Sequence, residues 1–218
     1  MHSLEVAARD PAAGTELRAL LLGLVAGCGM LARGEAGLKH VPPDKRRLLR
    51  RLGVVIGAVD IFVPALLKPV PRRLLKTIGA DPRPLRADMA PVIPTPRGPL
   101  PAGYRPAGKQ AVRIDLAEKL IRSAHDQRTR AAGRRFGLDE ALATSMGLTF
   151  ASATRLLQQA GFRIAPSAPL APGAHGPPPP RHWSWRAPRR LTPPRKPDHA
   201  EHPPHAGAPF AELARLIR

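Results

Sequence analysis

The sequence predicts a mainly α protein: a helical domain with a helix-turn-helix-like three-helix unit, minor β content, and a disordered proline-rich basic tail. Three observations carry this expectation. Residues 111–130 place Leu116, Leu120, Ile121 and Ala124 on one face of a helix. Residues 136–163 read as helix, glycine turn, helix. After Arg163 the composition changes abruptly, with 14 of the chain's 28 prolines between Pro166 and Pro209, a density expected to support neither helix nor sheet. The expected divisions are 1–108, a helical and mixed region with a proline-rich loop; 109–163, the three-helix unit; and 164–218, the tail with a short terminal helix.

Residues 1–14 carry no clear pattern and are expected to be irregular. Glu16 to Met30 is an apolar segment, read as a buried helix broken near Gly27 and Gly29. Pro42 and Pro43 followed by Asp44 suit the first turn of a helix running through Leu52. Its exposed side carries Lys45, Arg46, Arg47, Arg50 and Arg51. The β-branched run Val54 to Val63 predicts one or two strands. Pro64, Pro69 and Pro71 then forbid a continuous helix, leaving one helical turn and a second helix from Pro71 to Ile78. Residues 79–108 form a proline-rich loop that wraps a surface, with a short strand at Pro91 to Ile93. Ala111 to Arg130 is the first helix of the three-helix unit.

Within 136–163, Asp139 is placed to cap a short helix through Glu140 to Met146, its carboxylate accepting from free N–H groups. Gly147 stops that helix, because glycine takes a left-handed backbone without steric cost. Thr149 caps a second helix that Gly161 closes. Leu142, Met146, Leu148, Ala153, Leu156 and Leu157 can share a core, with Ala143 small enough for a close helix crossing. This order of small residue, three positions, glycine and apolar residue resembles the helix-turn-helix family, with Ala143 and Gly147 on its two most restricted places. The resemblance implies that Thr149, Phe150, Ala151, Thr154, Arg155 and Gln158 face nucleic acid, Arg155 and Gln158 having the chemistry for phosphates or base edges. A helical hairpin packed inside a larger domain is the competing reading.

Charge is the strongest global signal. The 218 residues hold 35 Lys and Arg against 16 Asp and Glu, a net +19, which implies polyanionic partners. RNA or DNA leads among these; general basic composition is the alternative. Aromatic residues are only 4% of the chain, so its core is expected to be aliphatic. The lone cysteine, Cys28, excludes an intramolecular disulfide, fits a reducing cytoplasm, and is expected to be buried. The apolar run from Ala19 to Ala32 is too short to span a bilayer, so no membrane association is expected.

The tail contains HWSWRAPRR. Trp183 and Trp185 beside Arg186 suit stacked bases and phosphates. Alternate tryptophans serve equally to anchor an extended strand onto the folded domain. His199, His202 and His205 recur every third residue, but Pro203 and Pro204 break any helix that would align them. No GxxxxGK[ST] loop is present, no constellation supports catalysis, and no cofactor is expected. The DEAL tetrapeptide at Asp139 to Leu142 lies inside the helix-turn-helix and is read as coincidence.

Four stretches, IFVPALLKPVPRRLL (61–75), AVRIDLAEKLIRSAHD (111–126), ALATSMGLTFASATRLLQQAGFR (141–163) and HWSWR (182–186), together resemble the C-terminal, non-motor region of an alphaproteobacterial superfamily 2 helicase related to the mitochondrial RNA-degradosome helicase. The resemblance spans about residues 15–190 and implies a part that guides a strand while ATP hydrolysis belongs to motor domains, supplied here in trans. The expectation is a non-catalytic, nucleic-acid-binding accessory segment, with Lys45, Arg46, Arg50, Thr149, Thr154, Arg155, Gln158, Trp183, Trp185 and Arg186 as contacts. A helix-turn-helix transcription regulator, or a protein-interaction module docking a helicase motor, are the alternatives.

Overall fold

The computed structural model describes residues 1–10, 13–36, 41–86, 88–131, 133–165 and 181–187. The terminal helix expected at 209–218 and the His199–His205 cluster lie outside them. The described residues fall within one unit, Met1–Pro188.

The N-terminal part is built on apolar helices. Residues expected to be irregular instead form α1 (His2–Arg9), because Leu4 and Ala8 share a face that packs on α2 (Thr15–Ala26). Leu17, Leu20, Leu21 and Leu24 of α2 are buried. Cys28 (φ 53°) and Gly29 (φ 84°) both adopt the left-handed backbone and turn the chain into β1 (Met30–Ala32). A side chain at Gly29 would also meet Leu66 at 2.5 Å, so glycine is required there twice over. Pro42 and Pro43 open α3 (Pro43–Arg51) as expected, with Leu49 as its buried anchor. The β-branched run gives β2 (Val55–Ile56) and β3 (Asp60–Phe62), and the three strands pair antiparallel in the order β1-β3-β2.

A single 3-10 turn (Pro64–Leu67) leads into α4 (Pro69–Thr77), whose start precedes the expected one because a proline fits the first helical turn. The proline-rich segment behind it is held by Asp81. Its carboxylate accepts from Arg72 at 2.9 Å and from Arg83 at 2.7 and 2.8 Å, while Arg83 also donates to the Gly27 carbonyl at 3.0 Å.

Eight short strands among the described residues make the fold mixed rather than mainly α. The largest correction falls at residues 104–113. Here β5 (Tyr104–Ala107) and β6 (Gln110–Arg113) form a hairpin, and β4 (Val92–Pro94) pairs on the other side of β6. The expected helix from Ala111 therefore begins later, as α5 (Ile114–Arg130): Ala111 and Val112 are buried as strand residues before the helical period takes over.

The helix-turn-helix is present as α6 (Ala141–Ser145) and α7 (Phe150–Gln159). Asp139 accepts from the Ala141 N–H at 2.8 Å, Gly147 turns the chain at φ 84°, and Thr149 caps α7 through the Ser152 N–H. Ala143, Leu148, Ala153, Leu156 and Leu157 are buried in one core with α5, while Leu142 and Met146 are half-buried. Directly after α7 the chain forms β7 (Phe162–Ala165), which pairs with β8 (His182–Trp185). Phe136 bridges the outer side of β8, exchanging backbone hydrogen bonds with Trp183 at 3.0 and 2.8 Å. Helix, bridging residue, helix, turn, helix and hairpin follow one another along residues 114–185. Sheet within residues 164–186 contradicts the expected unstructured tail: HWSW itself contains no proline, and its alternation seats Trp183 in the core.

Several contacts join the two halves, among them Arg105 to Asp60 and Ile114 packed against Met30 and Phe62, and one buried carboxylate bonds backbone across them. Glu118 of α5 is 4% exposed and accepts from the N–H groups of Ala58 (2.6 Å), Val59 (2.8 Å) and Asp60 (2.8 Å), in the turn between β2 and β3. Gly57 leaves the room: a Cβ there would sit 2.1 Å from the Glu118 carboxyl carbon. Stranding two buried donors and the part-buried Ala58 N–H costs about 1–3 kcal/mol for each buried one before relaxation. Glu118→Ala is therefore expected to lower the free energy of unfolding by about 3–5 kcal/mol in urea titrations, and Gly57→Ala to destabilise through the same contact. Loss of under about 1 kcal/mol in both variants would show that the turn does not depend on this carboxylate.

Candidate nucleic-acid interface

Two basic surfaces arise from these elements. The first is the outer face of α7. Its inner face is consumed by the core, and one flank is covered by the β5–β6 hairpin. Gln110 accepts from the Thr149 N–H (2.8 Å) and hydroxyl (3.1 Å) and donates to the Gly147 carbonyl (3.0 Å). Gln159 joins Arg105 (2.7 Å) and the Pro106 carbonyl (3.1 Å). The hydrophobic stem of Arg155 lies beside Gly108, whose substituted Cβ would meet it at 3.5 Å. What remains open is an arc with Ala151 and Arg155 exposed and Gln158 half-buried.

Several expected contacts are placed otherwise. Thr149 is exposed, but its hydroxyl is engaged by Gln110 and Ser152. Thr154 turns its hydroxyl inward, buried without a partner, toward a cavity of about 50 Å³ that Trp183 also lines. The Trp183 indole N–H faces the same cavity unpartnered, which leaves room and polar atoms for ordered water. Trp183 is 2% exposed, so its ring offers no stacking face and serves as the anchor of β8. Trp185 is half-buried, donates to the Ala160 carbonyl at 2.9 Å, and carries the Arg128 guanidinium 4.1 Å from its ring centroid. Arg186 is exposed; its backbone N–H bonds Gly161 at 3.0 Å.

The second surface is a cleft of about 440 Å³ beside α3. Arg46 and Arg50 stand one turn apart on α3, Arg33 follows β1, and Arg122 projects from α5. Arg46 donates to the Val41 carbonyl at 2.8 Å and Arg33 to the Gly57 carbonyl at 2.7 Å, which orients both. Neither backbone carbonyl neutralises a charge. Among the described residues no carboxylate lines the cleft, and none of the four guanidinium groups is in an ion pair. The floor is apolar: Val41, Leu49, Val54, Val55 and Ile56.

Sequence reasoning placed Arg46 and Arg50 on an exposed basic face but did not bring them to Arg33 and Arg122, which are distant in sequence. Lys45, named with them, is half-buried and leans over Gly14 instead of lining the cleft. The only local hint to Arg122 is its position one helical turn beyond the buried Glu118.

Among the described residues no group of three or more His, Cys, Asp or Glu could hold a metal ion, and no helix is long and apolar enough to cross a membrane. No protein-family model, curated protein or solved structure matches this chain.

The α7 support has one titratable element. His125 packs its ring 4.8 Å from Phe162 and 5.6 Å from Trp185. Burial, then the nearby Arg128 charge, pushes its pKa below the ordinary 6.5, against smaller opposing effects of Asp126 and Glu118. A histidine held neutral by folding contributes stability that is complete above its unfolded pKa and is lost as pH falls through that value toward the folded one. The urea midpoint is therefore expected to drop between pH 7.5 and pH 5.5 more in the native protein than in His125→Phe. Equal drops would remove His125 as the cause.

Proposed function

We propose that this chain is a non-catalytic nucleic-acid-binding element that captures phosphates electrostatically and reads sequence weakly. The observation that carries this is the cleft of Arg33, Arg46, Arg50 and Arg122, four guanidinium groups converging without a carboxylate in a chain of net charge +19. Guanidinium matches phosphate in geometry and keeps its charge at any physiological pH. Four such groups close together repel one another, and a polyanion relieves that repulsion while releasing its own condensed counterions. Arg155, Gln158 and Arg186 form an additional basic surface around the three-helix unit.

The resemblance of residues 61–75, 111–126, 141–163 and 182–186 to a helicase C-terminal region supports an accessory role, a strand guide working with motor domains. RNA and DNA are both admissible partners on this chemistry. A duplex-binding transcription regulator is the second reading, favoured by the helix-turn-helix and the open arc of Ala151, Arg155 and Gln158 on α7. The two separate by where substitutions act.

If the cleft is the principal contact, Arg50→Ala and Arg122→Ala each weaken nucleic-acid affinity about tenfold and reduce the slope of log affinity against log salt by about 0.7–0.9. Arg155→Ala then acts less. Fluorescence anisotropy across a salt series measures both quantities. The reverse ranking, with Arg155 dominant and a preference for one duplex sequence, would favour the regulator; no binding to any nucleic acid at low salt would refute the proposed function.

A further inference from the structure

Resting on that reading, the cleft geometry points to its substrate class: we infer that it accepts one unpaired nucleotide of a single strand, phosphate among the arginines and base against the apolar floor. The arginines do not form a row along one helix, as a surface tracking a long duplex backbone would. They come from three places, the turn after β1 (Arg33), α3 (Arg46 and Arg50) and α5 (Arg122), and surround one concavity. At about 440 Å³ that concavity is on the scale of a small-molecule pocket, which typically spans about 300–1,000 Å³.

The floor decides between a bare phosphate and a nucleotide. Val55 and Ile56, both half-buried, present apolar surface to the same cleft above the buried Val41, Leu49 and Val54, and such surface gains nothing from a solvated phosphate. A base has an apolar face, and guanidinium planes stack on bases as readily as they pair with phosphates. In a duplex that face is already covered by neighbouring base pairs, so only the phosphates could reach the rim. Among the described residues the only polar side chains lining the cleft are the four arginines, so no side-chain acceptor meets a base there, and guanidinium groups that hold the phosphate are not free to read a base edge. The strand is therefore bound with little regard to sequence.

Anisotropy with labelled 12-nucleotide single strands (U-rich, A-rich and the corresponding DNA) and a 12-base-pair duplex tests this in the full-length chain. Single strands are expected to bind at least about tenfold tighter than the duplex, with U-rich and A-rich strands within about threefold of one another. Arg50→Ala and Arg122→Ala should abolish the preference. Ile56→Gln, which changes only the floor, should weaken single-strand binding without altering the salt slope, and circular dichroism confirms that each variant is folded. Adenosine monophosphate should compete with the strand in the native protein and lose that ability in Arg50→Ala. Equal affinity for duplex and single strand, weakened alike by the arginine variants, would overturn the single-nucleotide assignment while leaving nucleic-acid binding intact. Absence of binding to every probe would overturn both.

Discussion

One buried carboxylate bonds backbone across the two halves of this molecule. Glu118 satisfies the three consecutive N–H groups of Ala58, Val59 and Asp60, which the turn between β2 and β3 would otherwise bury without partners. A buried charge is tolerable only when hydrogen bonds replace its hydration, and three backbone donors at 2.6–2.8 Å do so. The same contact fixes where α5 lies against the N-terminal sheet. Because α5 is also the first helix of the three-helix unit, this contact helps to set that unit against the N-terminal sheet, together with the Arg105–Asp60 pair.

The turn is served from both sides. Arg33 donates to the carbonyl of Gly57, next to the N–H groups that Glu118 binds, so a cation and an anion are attached to opposite polarities of one short loop. Nearby, Asp60 pairs with Arg105, although burial still pushes its carboxyl above the usual range. One turn along α5 from Glu118, Arg122 is carried to the edge of the cleft that Arg33, Arg46 and Arg50 complete. Three of the acidic residues near this region are engaged in internal bonds: Glu118 on backbone, Asp60 and Asp81 on arginines outside the cleft.

Local chemistry made much of this legible. Pro42 and Pro43 marked the start of α3, Gly147 and Thr149 marked the turn and cap of the helix-turn-helix, and the Val54 to Val63 run marked β2 and β3. What failed was non-local. The hairpin at residues 104–113 contains Pro106 and Gly108, and its first strand reads as loop and its second as the start of a helix until β5, β6 and β4 pair. β8 is hidden between proline-rich stretches, and only its pairing with β7 and Phe136 makes it sheet. Trp183 suited two roles in sequence, base stacking beside arginines or anchoring an extended strand, and the alternation of β8 turns it into the core, as the anchor reading had it. Lys45, Arg46 and Arg50 looked equivalent on one helix, and only the approach of Arg33 and Arg122 distinguishes the two that line a cleft. The sequence resemblance to a helicase region drew on residues that the fold uses mainly for packing.

If Glu118 assembles the cleft by positioning Arg122, a double-mutant cycle on single-strand affinity reveals the coupling. Native protein, Glu118→Gln, Arg122→Ala and the double variant would be compared under conditions where circular dichroism shows all four folded. The account predicts strong non-additivity, with Arg122→Ala costing about tenfold in the native background and almost nothing once Glu118 is replaced. Additive losses would mean that Arg122 reaches the strand without the latch, and would contradict the coupling.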